Sequence, residues 1–164
     1  MRRTRQRGFT LVELMIVVVI IGVLSVLAVI GFRKNTFAAR NSEAVQVLGA
    51  VRAAQENYFS AYGQYCGAPA VASWPAAVPV DAKVDWGTPD GAWRDLGVRS
   101  PGRVWFQYRL SAGAPGQNAG PSIGNNQRPG FWAQARGDFD GNGTFSTFEV
   151  TSEKPDVWID KENE

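Results

Sequence analysis

The sequence contains no histidine. Imidazole acid–base chemistry and histidine metal ligation are therefore excluded. It has a single cysteine, Cys66, so neither an intrachain disulfide nor a thiolate metal cluster can form. The favoured reading of Cys66 is a half-buried small residue, with an intermolecular disulfide as the alternative. No G-x-S-x-G nucleophile motif and no phosphate-binding P-loop is present, which leaves enzymatic function with little support. Positive charge is scarce too, once its position is considered. The formal charge is +2, from 17 basic and 15 acidic residues, but Arg2, Arg3, Arg5 and Arg7 crowd the start. Beyond Gly8 there are 13 basic and 15 acidic residues, a formal −2, so the chain carries no basic surface for nucleic acid.

What the sequence does have is one long apolar run. From Leu14 to Phe32, 19 residues carry no charge and no proline. As a helix they span roughly 28 Å, about one hydrocarbon core. Gly22, Ser25 and Gly31 alone interrupt the larger apolar side chains. Arginines ahead of such a run keep the N-terminus in the cytoplasm and send the downstream chain across the membrane. After Phe32 the chain reads Arg33-Lys34-Asn35, with no A-x-A pattern of the kind that ends a secretory signal. A simple uncleaved anchor explains the arginines and the length. It does not explain Glu13, a costly carboxylate near the head of the run, or the Gly8-Phe9 junction.

The segment R-GFTLVELMIVVVIIGVLSVLAV, from Arg7 to about Val29, resembles the class III signal of type IV pilins and of the type II secretion pseudopilins. The resemblance implies cleavage by a prepilin peptidase between Gly8 and Phe9 and methylation of the new Phe9 amine. It implies an anchor held in membrane lipid that later packs as a filament core, with other pilin subunits and an inner-membrane assembly platform as partners. The residues agree. Gly8 leaves the backbone open to a peptidase. Glu13 lies within one helical turn of the future amine, and in low dielectric a carboxylate pairs or takes up a proton. Glu13 is therefore expected to guide assembly by attracting a neighbour's Phe9 amine; the bland alternative is that it snorkels to headgroups. Many type IV pilins carry a proline near the end of this run, where this chain has Gly31 and none. Local loosening of the helix would rest on Gly22 and Gly31.

The division expected is 1–8 a cleaved leader, 9–32 a membrane and filament-core helix, 33–63 an amphipathic continuation, and 64–164 a loop region and sheet. Phe37, Ala44, Leu48, Val51, Tyr58 and Tyr62 set one apolar stripe, with Asn41, Glu43, Gln46, Arg52, Gln55 and Glu56 on the other faces. Gly63 marks the stop, so the whole helix is about 50 residues long. Five prolines between Gln64 and Arg103 preclude long elements there, apart from one helical turn at Ala92–Val98. Val104–Leu110, Gly130–Arg136 and Thr144–Thr151 read as strands, with Val157–Ile159 as an added edge. The Gly/Pro/Asn-rich stretch Ser111–Pro129 reads as a long surface loop. The predicted fold is α+β, a long helix under a small antiparallel sheet, which is also what the pilin resemblance implies.

A second motif covers Asp138–Glu149, DFDGNGTFSTFE, which satisfies the EF-hand loop pattern. Asp138, Asp140 and Asn142 would offer side-chain oxygens, Thr144 its carbonyl, Ser146 an oxygen directly or through water, and Glu149 a closing bidentate carboxylate. Hard oxygens of this kind suit calcium rather than zinc or iron. The flanks look like strands rather than helices, so a strand after Ser146 could point Glu149 away. The competing reading is a plain hairpin turn. Against it stand three carboxylates at one tip, whose spacing also fits ion binding better than an acid–base pair across a cleft.

Three functional readings stand. The first is a pilin or minor pilin, single-pass in the inner membrane and then displayed in an extracellular pilus. The second is a periplasmic pseudopilin. The third is a membrane-anchored calcium-binding domain that never polymerises. The N-terminal motif argues against the third. Calcium does not separate the first two, because major pseudopilins also bind it. The long Gly/Asn/Pro loop fits a pilin better.

Overall fold

A computed structural model describes residues 8–124, 127–154 and 156–160, and the Arg33 side chain is not among the described groups. The leader arginines Arg2, Arg3, Arg5 and Arg7 lie outside the described residues. The described chain forms helix α1 (Leu11–Tyr62), strand β1 (Ala72–Trp74), helix α2 (Gly91–Leu96), and strands β2 (Gln107–Gly113), β3 (Gly130–Gly137), β4 (Ser146–Thr151) and β5 (Trp158–Asp160). By contacts the chain divides between Ala38 and Ala39 into two units.

In the first unit, every large apolar side chain from Phe9 to Phe32 is exposed. The helix is long and apolar enough to cross a membrane. Two of its hydroxyls are satisfied along its own backbone. Ser25 Oγ donates to the Ile21 carbonyl at 2.7 Å and Thr36 Oγ1 to that of Phe32 at 3.0 Å. Such bonds let hydroxyls sit in an apolar helix without an unmet donor.

In the second unit, α1 buries Asn41, Ala44, Leu48, Val51 and Gln55. These recur every three or four residues, one face of a helix. Asn41 and Gln55 are a correction, since polarity alone assigns them outward. Gln55 is buried because it clamps a loop: its Nε2 donates to the Cys66 carbonyl at 2.7 Å, and its Oε1 accepts from the Cys66 N–H at 2.8 Å. Cys66 is buried in turn, and burial first, then the charge of Asp95, push its thiol pKa up. Tyr62 is exposed rather than part of the stripe. The helix ends at Gly63 as expected, in the left-handed region at φ 69°, with its N–H donating to Phe59.

The sheet is antiparallel in chain order, β1-β2-β3-β4-β5. It has one strand more than the sequence patterns suggest. The addition is β1, a three-residue strand inside the proline-rich middle, paired to Tyr108–Leu110. The inner face carries Tyr108, Leu110, Ala133, Ala135, Phe148 and Val150, all buried. Arg52 fastens α1 to it by donating to the Thr151 and Lys154 carbonyls. Trp86 stands edge-on to Trp93 and leans on Tyr108, so the tryptophans cover apolar surface as the sequence suggests.

The Ser111–Pro129 stretch is less loop-like than its composition. β2 runs on to Gly113, Ala119 is buried, and Gly120 is buried against Trp132. Ser111 Oγ holds that segment down, donating to the Ala119 carbonyl at 2.7 Å.

Candidate functional site

Two places carry the sequence-derived residues, and they lie in different units. The first is the head of α1. Gly8 and Phe9 are exposed, ahead of the helix. Thr10 caps it. The Thr10 backbone N–H and Oγ1 both donate to Glu13 Oε2, at 2.9 and 2.8 Å. The Glu13 N–H returns a bond to Thr10 Oγ1 at 3.2 Å, and the Leu14 N–H donates to the Thr10 carbonyl. This is a reciprocal capping box, which meets otherwise unpaired donors at a helix start. Thr10 is a residue the sequence reading missed, although the T-x-x-E spacing ahead of an apolar run is its signature. Glu13 thus has a use within its own chain, independent of any neighbour.

The second place is the β3–β4 connection. Asp138 is buried, with its backbone held to Pro79 and Asp81 by N–H to carbonyl bonds in both directions. Its two carboxylate oxygens accept the Gly141 and Gly143 N–H groups, at 2.8 and 3.0 Å. Asp140 is exposed. Its Oδ1 accepts the Asn142 N–H at 3.2 Å and its Oδ2 the Asn142 side-chain amide at 2.8 Å. Asn142 Oδ1 accepts the Thr144 N–H at 2.6 Å. Gly141 and Gly143 adopt φ of 73° and 82°, which side-chain-bearing residues resist. Asp138, Asp140, Asn142 and Thr144 are therefore brought together at one tip.

Glu149 does not join them in the expected way. Ser146 is the buried first residue of β4, opposite Gly137. Glu149 stands opposite Gln134, about 10 Å further along the strand and on the other face, because side chains alternate with period two. There it lines a cavity of about 150 Å³ with Thr151, Glu153, Lys154, Asp156 and Trp158. Among the described residues no three acidic, histidine or cysteine side chains stand close enough to share a metal. The repulsion of three carboxylates at one tip, which argued against a plain turn, is thus removed, and two of the loop's carboxylates are met by N–H groups.

Comparison with known proteins finds matches that each cover part of the chain. The family described as the prokaryotic N-terminal methylation motif matches residues 3–29. The type IV major pilin protein PilA of Myxococcus xanthus is 48% identical over 61 residues, which is 37% of this chain and 28% of that protein. A fimbrial protein of Neisseria meningitidis serogroup B is 38% identical over 64 residues, 39% of this chain and 38% of that one. The type IV major pilin protein PilE1 of Neisseria gonorrhoeae is 37% identical over 62 residues, 38% of each. The chain thus spans between about a quarter and two-fifths of the curated relatives it matches. No solved structure matches. The chain is thus similar over part of its length to type IV pilins and fimbrial proteins, and it matches the methylation motif at its N-terminus. The relatives are named as pilin and fimbrial proteins.

Proposed function

We propose that this chain is a structural subunit, a pilin or minor pilin, of a type IV pilus. Prepilin peptidase would remove Met1–Gly8, the Phe9 amine would be methylated, and the first unit would polymerise with other pilin subunits through its helix. The observation that carries this reading is the head of α1, a capping box placed directly after an exposed Gly8-Phe9 junction and followed by a wholly exposed apolar surface. A globular protein does not leave such a surface to water. Membrane lipid would cover it before assembly and neighbouring helices afterwards. Nothing in the fold requires glycine at position 8, since a Cβ there would meet no atom within 4 Å. A peptidase needing close access to the backbone supplies the requirement. The inner-membrane assembly platform is the further partner this reading implies.

The pilus reading is in keeping with the relatives, which are named as pilins and fimbrial proteins; a secretion pseudopilus is the alternative. The test is to express the chain beside a prepilin peptidase and a pilus assembly system. Mass spectrometry is expected to give a mature chain beginning with N-methylated Phe9, and electron microscopy sheared fibres containing it. A chain retaining Met1–Gly8 overturns the processing step. A processed chain absent from fibres overturns the filament role.

The loop at Asp138–Ser146 is proposed as a calcium site of a reduced kind. Asp138, Asp140, Asn142 and the Thr144 carbonyl would hold the ion; Glu149 would not. These are hard oxygens of the type calcium takes. Since N–H groups already meet Asp138, the ion would add a cross-link to a loop that stands without it.

A further inference from the structure

The outer face of the sheet holds two arginines that make no ion pair among the described residues, although Glu149 and Asp160 share that face. Arg109 on β2 pairs in register with Gln134 on β3, and Arg136 on β3 pairs with Gln107 on β2. The arginines are therefore diagonal neighbours, with Cα atoms about 7–8 Å apart. Both are half-buried. No ion pair among the described residues includes either of them. Glu149 is the acid closest by register, diagonal to Arg136 across β4, and it makes no ion pair with it.

Each guanidinium is nevertheless held. Arg109 donates from Nη1 to Gln134 Oε1 at 3.0 Å, with Cζ 5.4 Å from the centre of the buried Trp132 ring. Arg136 donates from Nε to Gln107 Oε1 at 3.0 Å, with Cζ 5.1 Å from the Phe145 ring. Gln107 is itself buried and anchored, its Nε2 donating to the Pro75 and Ala76 carbonyls. Each arginine thus spends one of its five N–H donors on a glutamine, and among the described residues no carboxylate stands within ion-pair distance to take the rest. Two like charges set side by side repel. Burial first, and the charge of Arg136 second, lower the pKa of Arg109. A neutral glutamine orients a guanidinium without cancelling its charge, which leaves the pair pre-organised for something negative.

We propose that Arg109 and Arg136 form a binding site for a tetrahedral oxyanion, a sulfate or phosphate group either free or carried on a polymer. Such a group presents several oxygens to two planar forks and would relieve their mutual repulsion. Gln134 and Gln107 are positioning residues. This site does not depend on the filament reading, because all its parts lie in the second unit.

The test uses the full chain in detergent micelles. Inorganic sulfate and dextran sulfate are titrated separately by calorimetry, with uncharged dextran as the blank. One-to-one saturable binding of inorganic sulfate, weakened about tenfold or more in both Arg109→Gln and Arg136→Gln, establishes a free-ion site. Binding of dextran sulfate alone, lost in the same two variants, establishes a polymer-borne group. Arg109→Lys keeps the charge but not the fork and is expected to fall between. Arg103→Gln, which removes an exposed cation elsewhere, is expected to bind as wild type. The proposal is overturned if neither probe binds, or if Arg103→Gln weakens binding as much as the two site variants. Near-ultraviolet circular dichroism establishes that the variants are folded. If either is not, Gln107→Glu and Gln134→Glu replace it: each supplies the missing carboxylate, and each must abolish binding.

Discussion

Glu13 and Thr10 close on each other, with Glu13 Oε2 accepting from both the Thr10 backbone N–H and its hydroxyl, at 2.9 and 2.8 Å. The carboxylate therefore has a task at the helix head as well as the assembly role proposed for it. The two tasks call for different chemistry. Capping needs an acceptor oxygen, whereas attraction of a methylated Phe9 amine needs a charge.

Glu13→Gln separates them. The amide keeps an oxygen for Thr10 and loses the charge. Glu13→Ala loses both, and Thr10→Val loses the hydroxyl while leaving the charge. Removing such a cap costs helices about 1 kcal/mol. Fibre yield by electron microscopy is expected to collapse in Glu13→Gln and Glu13→Ala alike, and to fall only mildly in Thr10→Val. Wild-type yield from Glu13→Gln would sink the charge role and leave Glu13 a cap.

Gly120 is expected to be the least replaceable glycine of the second unit. Its φ is 146°, and a Cβ added there would stand 2.3 Å from Trp132 Cβ. That atom is fixed to the β3 backbone and cannot swing aside. Gly120→Ala should therefore lower stability by about 3 kcal/mol, through strain and the lifting of the 119–120 segment off Trp132. Gly124→Ala serves as the comparison, because its φ of 66° is strained but its surroundings are open. It should cost about 1 kcal/mol. Thermal unfolding of the full chain in micelles measures both, and equal losses would contradict the packing argument.

Gly120 also marks where sequence patterns stop being informative. The long apolar run, the stop at Gly63 and the aromatic strands are legible because period and punctuation report local geometry. The α+β fold follows from them. The Ser111–Pro129 stretch has the composition of a loop, yet it supplies the cover over Trp132, and composition is silent about what a segment lands on. Asn41 and Gln55 mislead for the same reason. A polar side chain reads as outward until its partner is known, and the partner of Gln55 is a backbone 11 residues away. At the second motif the spacing names Asp138, Asp140 and Asn142, which the fold does gather. It also names Glu149, which the twofold alternation of β4 carries to the opposite face. An EF-hand places that residue on a helix, and a strand has a different period.

Tyr108 gives a pH prediction. Its hydroxyl is buried and has no hydrogen-bond partner among the described residues. Burial foremost, with the charge of Glu43, holds its pKa well above the usual tyrosine range. A raised folded-state pKa means that the native state keeps a proton the unfolded chain has released. This contribution is intact below the unfolded value of about 10 and is lost as pH rises beyond it through the raised folded value. Tyr108→Phe removes both the ionisation and an unmet polar group. It should be neutral to stabilising, by up to about 1 kcal/mol at neutral pH, and should flatten the decline in stability above about pH 10. Melting temperatures across the alkaline range check it. A clear loss at neutral pH would mean that the hydroxyl has a partner after all, such as a buried water.

Asp138 and Asp140 separate the turn from the calcium site. Asp138 accepts the Gly141 and Gly143 N–H groups and is buried, so Asp138→Ala should destabilise the chain by about 2 kcal/mol or more with or without calcium. Asp140 is exposed and, among the described residues, bonded only to Asn142, so Asp140→Ala should cost little in chelator. Calcium at about a hundred times its dissociation constant would raise wild-type stability by about 2.7 kcal/mol, since it binds the folded state alone. Asp140→Ala should lose that increment, whereas Glu149→Ala should keep it, because Glu149 stands on the opposite face. The comparison is a melting series of the four chains in excess calcium and in chelator. If calcium leaves the wild type unmoved, the loop is a turn that its own N–H groups complete. If Glu149→Ala abolishes the increment, then β4 must rearrange to deliver Glu149, and the reduced ligand set proposed for the loop is wrong.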